Sequence, residues 1–140
     1  MKQFSLIDLD QDWAAVESVL DDTDEIDTWC SGPDWVVPVH LGFAPEAETL
    51  LFQSSEDDGG AGYALLAAYR LEDGRSMVAG LEPLWGFAAP IFGPDIEAVA
   101  GALARQLAGQ PQWDVLVVPG VPMPSGPTSF GARLIRGLGP

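Results

Sequence analysis

The 140-residue sequence predicts an α+β domain with a mostly antiparallel mixed sheet and flanking helices. Three observations carry that expectation. Between Thr49 and Leu81, apolar β-compatible runs alternate with turn-forming residues, the pattern of an antiparallel meander. Before them, Trp13, Val16 and Leu20 fall on one helical face. After them, Ile96, Val99, Ala100, Leu103 and Leu107 do the same. Strands grouped in a block between helices indicate α+β architecture rather than alternating α/β units.

In chain order, Phe4–Leu9 alternates loosely and reads as a first strand. Asp10 or Asp12 then caps the helix that carries Trp13, Val16 and Leu20. Asp21–Asp27 holds five acids in seven residues and reads as a solvated connection. Ser31-Gly32-Pro33-Asp34-Trp35 opens a second helix, because proline's missing N–H costs nothing in a first turn. Val36, Val39 and Phe43 are expected to pack beside Trp35. Thr49–Gln53 starts the meander, and Ser54–Gly62 is an acidic, glycine-rich turn. Tyr63–Leu71 is almost uniformly apolar, as a strand covered on both faces should be. Glu72-Asp73-Gly74-Arg75 is a hairpin turn, since Asp-Gly tolerates positive φ, and Ser76–Leu81 returns.

Glu82–Pro94 is apolar but broken by three prolines and two glycines. That excludes a regular helix or a central strand and leaves an irregular, partly buried segment with room for a short edge strand. Asp95–Ala108 is the clearest helix, with Asp95 and Glu97 at its positive end, Arg105 near its negative end and Gly109 closing it. Trp113–Val118 is the last strand. Four prolines and two glycines stop regular structure over Pro119–Pro127. Ser129–Leu138 fits either a short helix or a tail. The expected order is β-α-α-β-β-β-α-β, with one domain over residues 1–128 and residues 129–140 as a tail or short helix.

The net charge is −15, and it is unevenly spread. From Gln3 to Tyr69 there are fifteen Asp/Glu and no Lys/Arg; from Arg70 onward there are six against five. Such a field repels phosphate backbones and anionic lipid, which argues against nucleic-acid and membrane partners. The apolar runs are too short to cross a bilayer, and acids interrupt the N-terminus where a signal peptide needs an apolar stretch. A lone cysteine, Cys30, cannot form an internal disulfide and reads as a small buried hydrophobe. These features fit a reducing cytoplasm.

Most site chemistries are excluded by residue type. The Asp8-Leu9-Asp10-Gln11-Asp12 run has Trp13 and Val19 where a calcium loop needs glycine and glutamate. The Asp22-Thr23-Asp24 run fails in the same way. One histidine and one cysteine cannot supply a usual transition-metal ligand set, so no metal is expected. Neither a nucleophile elbow nor a P-loop is present. Glu82 stands alone among apolar residues: exposed, it is an ordinary strand-end carboxylate; buried, it is a candidate base. His40 reads as a helix-end or partly buried residue, with general-base duty as the functional alternative. The five tryptophans read first as core packing. Trp85, in the interrupted segment, is the one placed to line a groove. The groove candidates are Glu82, Trp85, Phe87, Trp35 and His40, with no catalytic residue among them.

Three local patterns, in order, carry a family resemblance. They are Cys30-Ser31-Gly32-Pro33-Asp34-Trp35, then Gly80-Leu81-Glu82-Pro83-Leu84-Trp85, then Trp113-Asp114-Val115-Leu116-Val117-Val118-Pro119. Over residues 4–125 the chain resembles the N-terminal half of the FemAB-like and cellulose-biosynthesis-type acyltransferases of the GNAT superfamily. In that family two GNAT-like halves sit side by side, and acyl-CoA binding belongs to the second. GNAT domains hold the CoA pyrophosphate on an R/Q-x-x-G-x-G/A loop that opens a helix. Here Gly137-x-Gly139 has Leu134 in place of Arg or Gln, and the helix from Asp95 starts with acids. The resemblance therefore implies an acyltransferase-related half-domain, without cofactor and not competent alone. The alternative is a small acidic protein-binding or regulatory module. An exposed Trp113–Val118 edge would invite a homodimer or another protein chain.

Overall fold

The computed structural model describes residues 1–110 and 113–139. The chain begins with β1 (Lys2–Phe4), α1 (Leu6–Gln11), α2 (Trp13–Asp21), α3 (Thr28–Ser31) and α4 (Pro33–Phe43). The meander follows as β2 (Glu48–Ser54), a 3-10 turn at Glu56–Asp58, β3 (Gly62–Arg70) and β4 (Ser76–Gly80). Then come β5 (Ile91–Phe92), α5 (Ile96–Ala108), β6 (Val115–Leu116) and α6 (Phe130–Leu138).

The six-stranded sheet runs β1-β2-β3-β4-β6, and β5 pairs with β3. All pairs are antiparallel except β4 with β6. The expected α+β class with a mostly antiparallel mixed sheet is therefore what the chain forms. The meander is in register as the hairpin signal implies: Arg70 faces Ser76 across a turn in which Gly74 has φ 86°. β3 is covered on both faces. Leu50, Phe52, Ala64, Leu66 and Val78 pack against α5 and α6. Leu51, Leu65, Ala67 and Phe92 pack against Leu9, Val16, Leu20 and Val36 of the other helical layer.

Four expectations need correction. Phe4–Leu9 is not one strand: β1 ends at Phe4 and α1 starts at Leu6. A capping box decides this. Ser5 Oγ accepts from the Asp8 N–H at 3.2 Å, and Asp8 accepts from the Ser5 N–H at 2.9 Å. Local capping outweighs a weak alternation, and Leu6 and Leu9 then share one helical face. The acidic connection is not merely solvated. Glu25, held at φ 69°, accepts the Phe130 N–H at 3.1 Å and so caps α6. A carboxylate at a helix N-terminus satisfies an orphan donor and the positive dipole end together. The last strand is two residues long rather than Trp113–Val118, because β4 offers a parallel partner only at Met77 and Val78. Finally, Phe43 does not pack inside; it is 64% exposed.

Of the two alternatives for the C-terminal segment, the chain forms the helix. Phe130 and Leu134 of α6 are buried in the α5-side core, and Arg136 pairs with Glu97 of α5 at 2.8 Å. Among the described residues, no helix is long and apolar enough to cross a membrane.

Candidate functional site

β4 ends at Gly80, and the chain then loops out through Glu82–Pro90 before returning as β5. Glu82 organises the loop. Its side chain is fully buried and accepts the backbone N–H of Trp85 at 2.6 Å and of Phe87 at 3.3 Å. Ser31 Oγ accepts the Ala89 N–H at 2.9 Å, and the Pro90 carbonyl accepts from Leu65 N–H at 2.8 Å. The base of the loop, Ala88–Pro90, is buried, whereas Leu84, Trp85 and Phe87 point outward, about half exposed.

The exposed crown meets aromatic residues from α3 and α4. Trp29 lies 5.3 Å from Trp35, Trp35 lies 5.8 Å from Trp85, and Trp85 lies 5.5 Å from Phe43, between ring centroids. The four rings form one strip across three segments. Trp29 is 68% exposed and Trp85 47%. α4 is apolar nearly all round, but only Pro33, Val36, Val39 and His40 are buried. Trp35 and Phe43, about two turns apart, are left on its flank. Trp29 and Trp85 depart from the core reading, being exposed, whereas Trp35 and Trp113 are half-buried against the two cores and Trp13 is half-buried. Sequence reasoning missed Trp29 and Phe43 as surface residues.

The remaining candidates fall as follows. Glu82 lies under the strip, with both oxygens engaged by backbone donors, and is not the exposed strand-end carboxylate of the simplest expectation. His40 is buried at 2% exposure, and its Nδ1 has no hydrogen-bond partner among the described residues. Burial pushes its pKa below 6.5, against a weaker opposite pull from Glu46. Tyr69 donates its hydroxyl to the Gly80 carbonyl, and burial, aided by the Glu82 charge, pushes its phenol up to about 12. Cys30 is half-buried rather than buried. Desolvation, with Asp27 and Glu82 nearby, raises its thiol pKa and keeps it out of the reactive thiolate form.

Beyond the two residue pairs of β4 and β6, the chain itself takes the space between their ends. Gly80 faces Pro90, with room of only 3.0 Å for a Cβ, and Pro119 lies beside it. Gly120, at φ 67°, packs on the Ala88 carbonyl so closely that any Cβ would collide with it. The Ala88–Pro90 backbone therefore fills the gap. Among the described residues, no three His, Cys, Asp or Glu side chains converge as metal ligands. The chain matches no family model, no curated protein and no solved structure.

Proposed function

We propose that this chain is a non-catalytic protein-binding domain on an acyltransferase-like, half-domain scaffold. The observation that carries the reading is the exposed strip Trp29–Trp35–Trp85–Phe43, extended by Leu84 and Phe87. Exposing several large rings side by side costs solvation free energy, on the order of 25 cal/mol per Å² of apolar surface. Contiguous patches of this kind mark interaction sites. The strip is also pre-organised: Glu82 and Ser31 fix its loop before any partner arrives, which lowers the entropic cost of docking.

Two further observations support the non-catalytic part. Ala88–Pro90 fills the gap beyond the parallel pair, where acyltransferases of the resembled type open a cofactor notch. Of the two candidate bases, Glu82 has both oxygens occupied by backbone N–H groups of its own loop, and His40 is 2% exposed. The β6 edge supports a dimer less well than the strip supports a partner. It offers two residues, with Asp114 just before them and Pro119 three positions after, and so little backbone to pair with.

Calorimetric titration with acetyl-CoA tests the catalytic side, and no heat of binding at micromolar ligand is expected. Saturable micromolar binding would overturn the reading. The binding side is tested by retaining a partner from lysate of the source cells and then rebinding it in purified form. Trp29→Ser/Trp85→Ser should weaken that rebinding by about tenfold or more, as truncation of central aromatic anchors does. Unchanged affinity would remove the strip from the account.

A further inference from the structure

We infer that the partner segment docking on the strip carries an arginine, whose guanidinium seats in the acidic cleft at the Trp29 end. This rests on the protein-binding reading above and names its partner chemistry. A cleft of about 320 Å³ opens between α2 and the α3–α4 corner, where Glu17, Asp21 and Asp34 line it together with Trp29, Thr28 and the apolar Leu20 and Gly32. Its three carboxylates are exposed. Among the described residues the ion pairs are Met1–Asp58, Arg75–Asp73 and Arg136–Glu97, all elsewhere. No lysine or arginine occurs between Lys2 and Arg70, so the helical layer around the cleft holds no cation of its own. The strip and the cleft share Trp29, which makes them one continuous surface.

Charge complementarity selects the occupant. A cation is attracted both by the face of an indole and by the carboxylates beside it. Arginine suits the combination better than lysine, because its flat guanidinium stacks on a ring while its N–H fork pairs with carboxylates. Among the described residues no three carboxylates converge as metal ligands, so the cleft's acids are not a preformed metal site. A second copy would bring a further −15 charge against the same surface. A stacked sugar or base needs a flat platform, whereas successive rings here are tilted by 39°, 49° and 90°.

The test titrates the isotope-labelled full chain with acetyl-Leu-Leu-Arg-amide, following the indole N–H resonances. The same peptide with citrulline, and with lysine, in place of arginine serves as comparison. Saturable shifts at Trp29 and Trp35 are expected with the arginine peptide, with about tenfold weaker binding of the citrulline form. The triple variant Glu17→Gln/Asp21→Asn/Asp34→Asn should abolish that preference. A control with the same charge change elsewhere, Glu48→Gln/Glu56→Gln/Asp57→Asn, should keep it. Equal binding of arginine and citrulline peptides at the strip overturns the arginine inference and leaves the docking reading standing. A lysine peptide that binds as tightly as the arginine one overturns the guanidinium assignment. No shift with any peptide overturns the inference. A dimer in sedimentation that Trp29→Ser dissolves overturns both the inference and the partner reading.

Discussion

Glu82 is a backbone staple, and its removal should be felt in the loop it holds. In Glu82→Gln one oxygen can still accept, but the amide NH2 faces a second N–H donor. Leaving that partly buried donor unpaired should cost about 1 kcal/mol in urea unfolding. The same change removes the charge that helps raise Tyr69, so the phenol should titrate lower than in the wild type, read by absorbance near its phenolate band. A Tyr69 titration unmoved by Glu82→Gln would break the link between them. His40 makes a second prediction at this scale. Its folded pKa is lowered from 6.5 by burial. As pH falls below that value the unfolded chain takes up a proton that the native state resists, so unfolding becomes easier. The loss continues until pH passes below the folded pKa. Urea midpoints at about pH 7.5 and about pH 5.5 should therefore differ more in the wild type than in His40→Asn. An equal pH dependence in the two proteins would contradict the buried, neutral imidazole.

Among the elements, those with strong local signals were legible in the sequence. α5 repeats its apolar residues at helical spacing and carries its own Asp95 cap, with the side chain accepting the Ala98 N–H at 3.2 Å. The β3–β4 hairpin follows from Asp73-Gly74. α1 was not legible as a helix, because a six-residue apolar stretch satisfies both periods and only the Ser5/Asp8 pair separates them. The Glu82–Pro90 loop was legible as irregular, but its crown and base were not. What buries Ala88–Pro90 is Gly80 together with Ser31 and Gly120, and the last two lie far away in sequence. Gly120→Ala tests that arrangement, since it adds both a Cβ collision and an unfavourable positive φ. A loss of about 1–3 kcal/mol in stability is expected, with altered Trp85 fluorescence as the loop base shifts. Wild-type stability and emission would mean that the loop is not packed on Gly120.

At the scale of the whole molecule, the charge asymmetry read along the sequence becomes an asymmetry of layers. α1 to α4 carry acids without a compensating cation, while Arg105, Arg133 and Arg136 lie on α5 and α6. The aromatic strip sits on the acidic side. Sequence alone could not place it there. Exposure of Trp29 and Phe43 depends on where the α1–α4 layer ends, and α4 has apolar residues on every face to choose from. The central claim is that this strip is the docking surface. Hydroxyl-radical footprinting of the chain, free and bound to its purified partner, tests it most directly. Free, Trp29, Trp85 and Phe43 should oxidise faster than Trp13 and Trp113, in keeping with their exposure. Bound, those three should be protected while Ile135, 59% exposed on α6 across the sheet, stays reactive. Protection elsewhere, with the strip still oxidised at its free rate, would contradict the account.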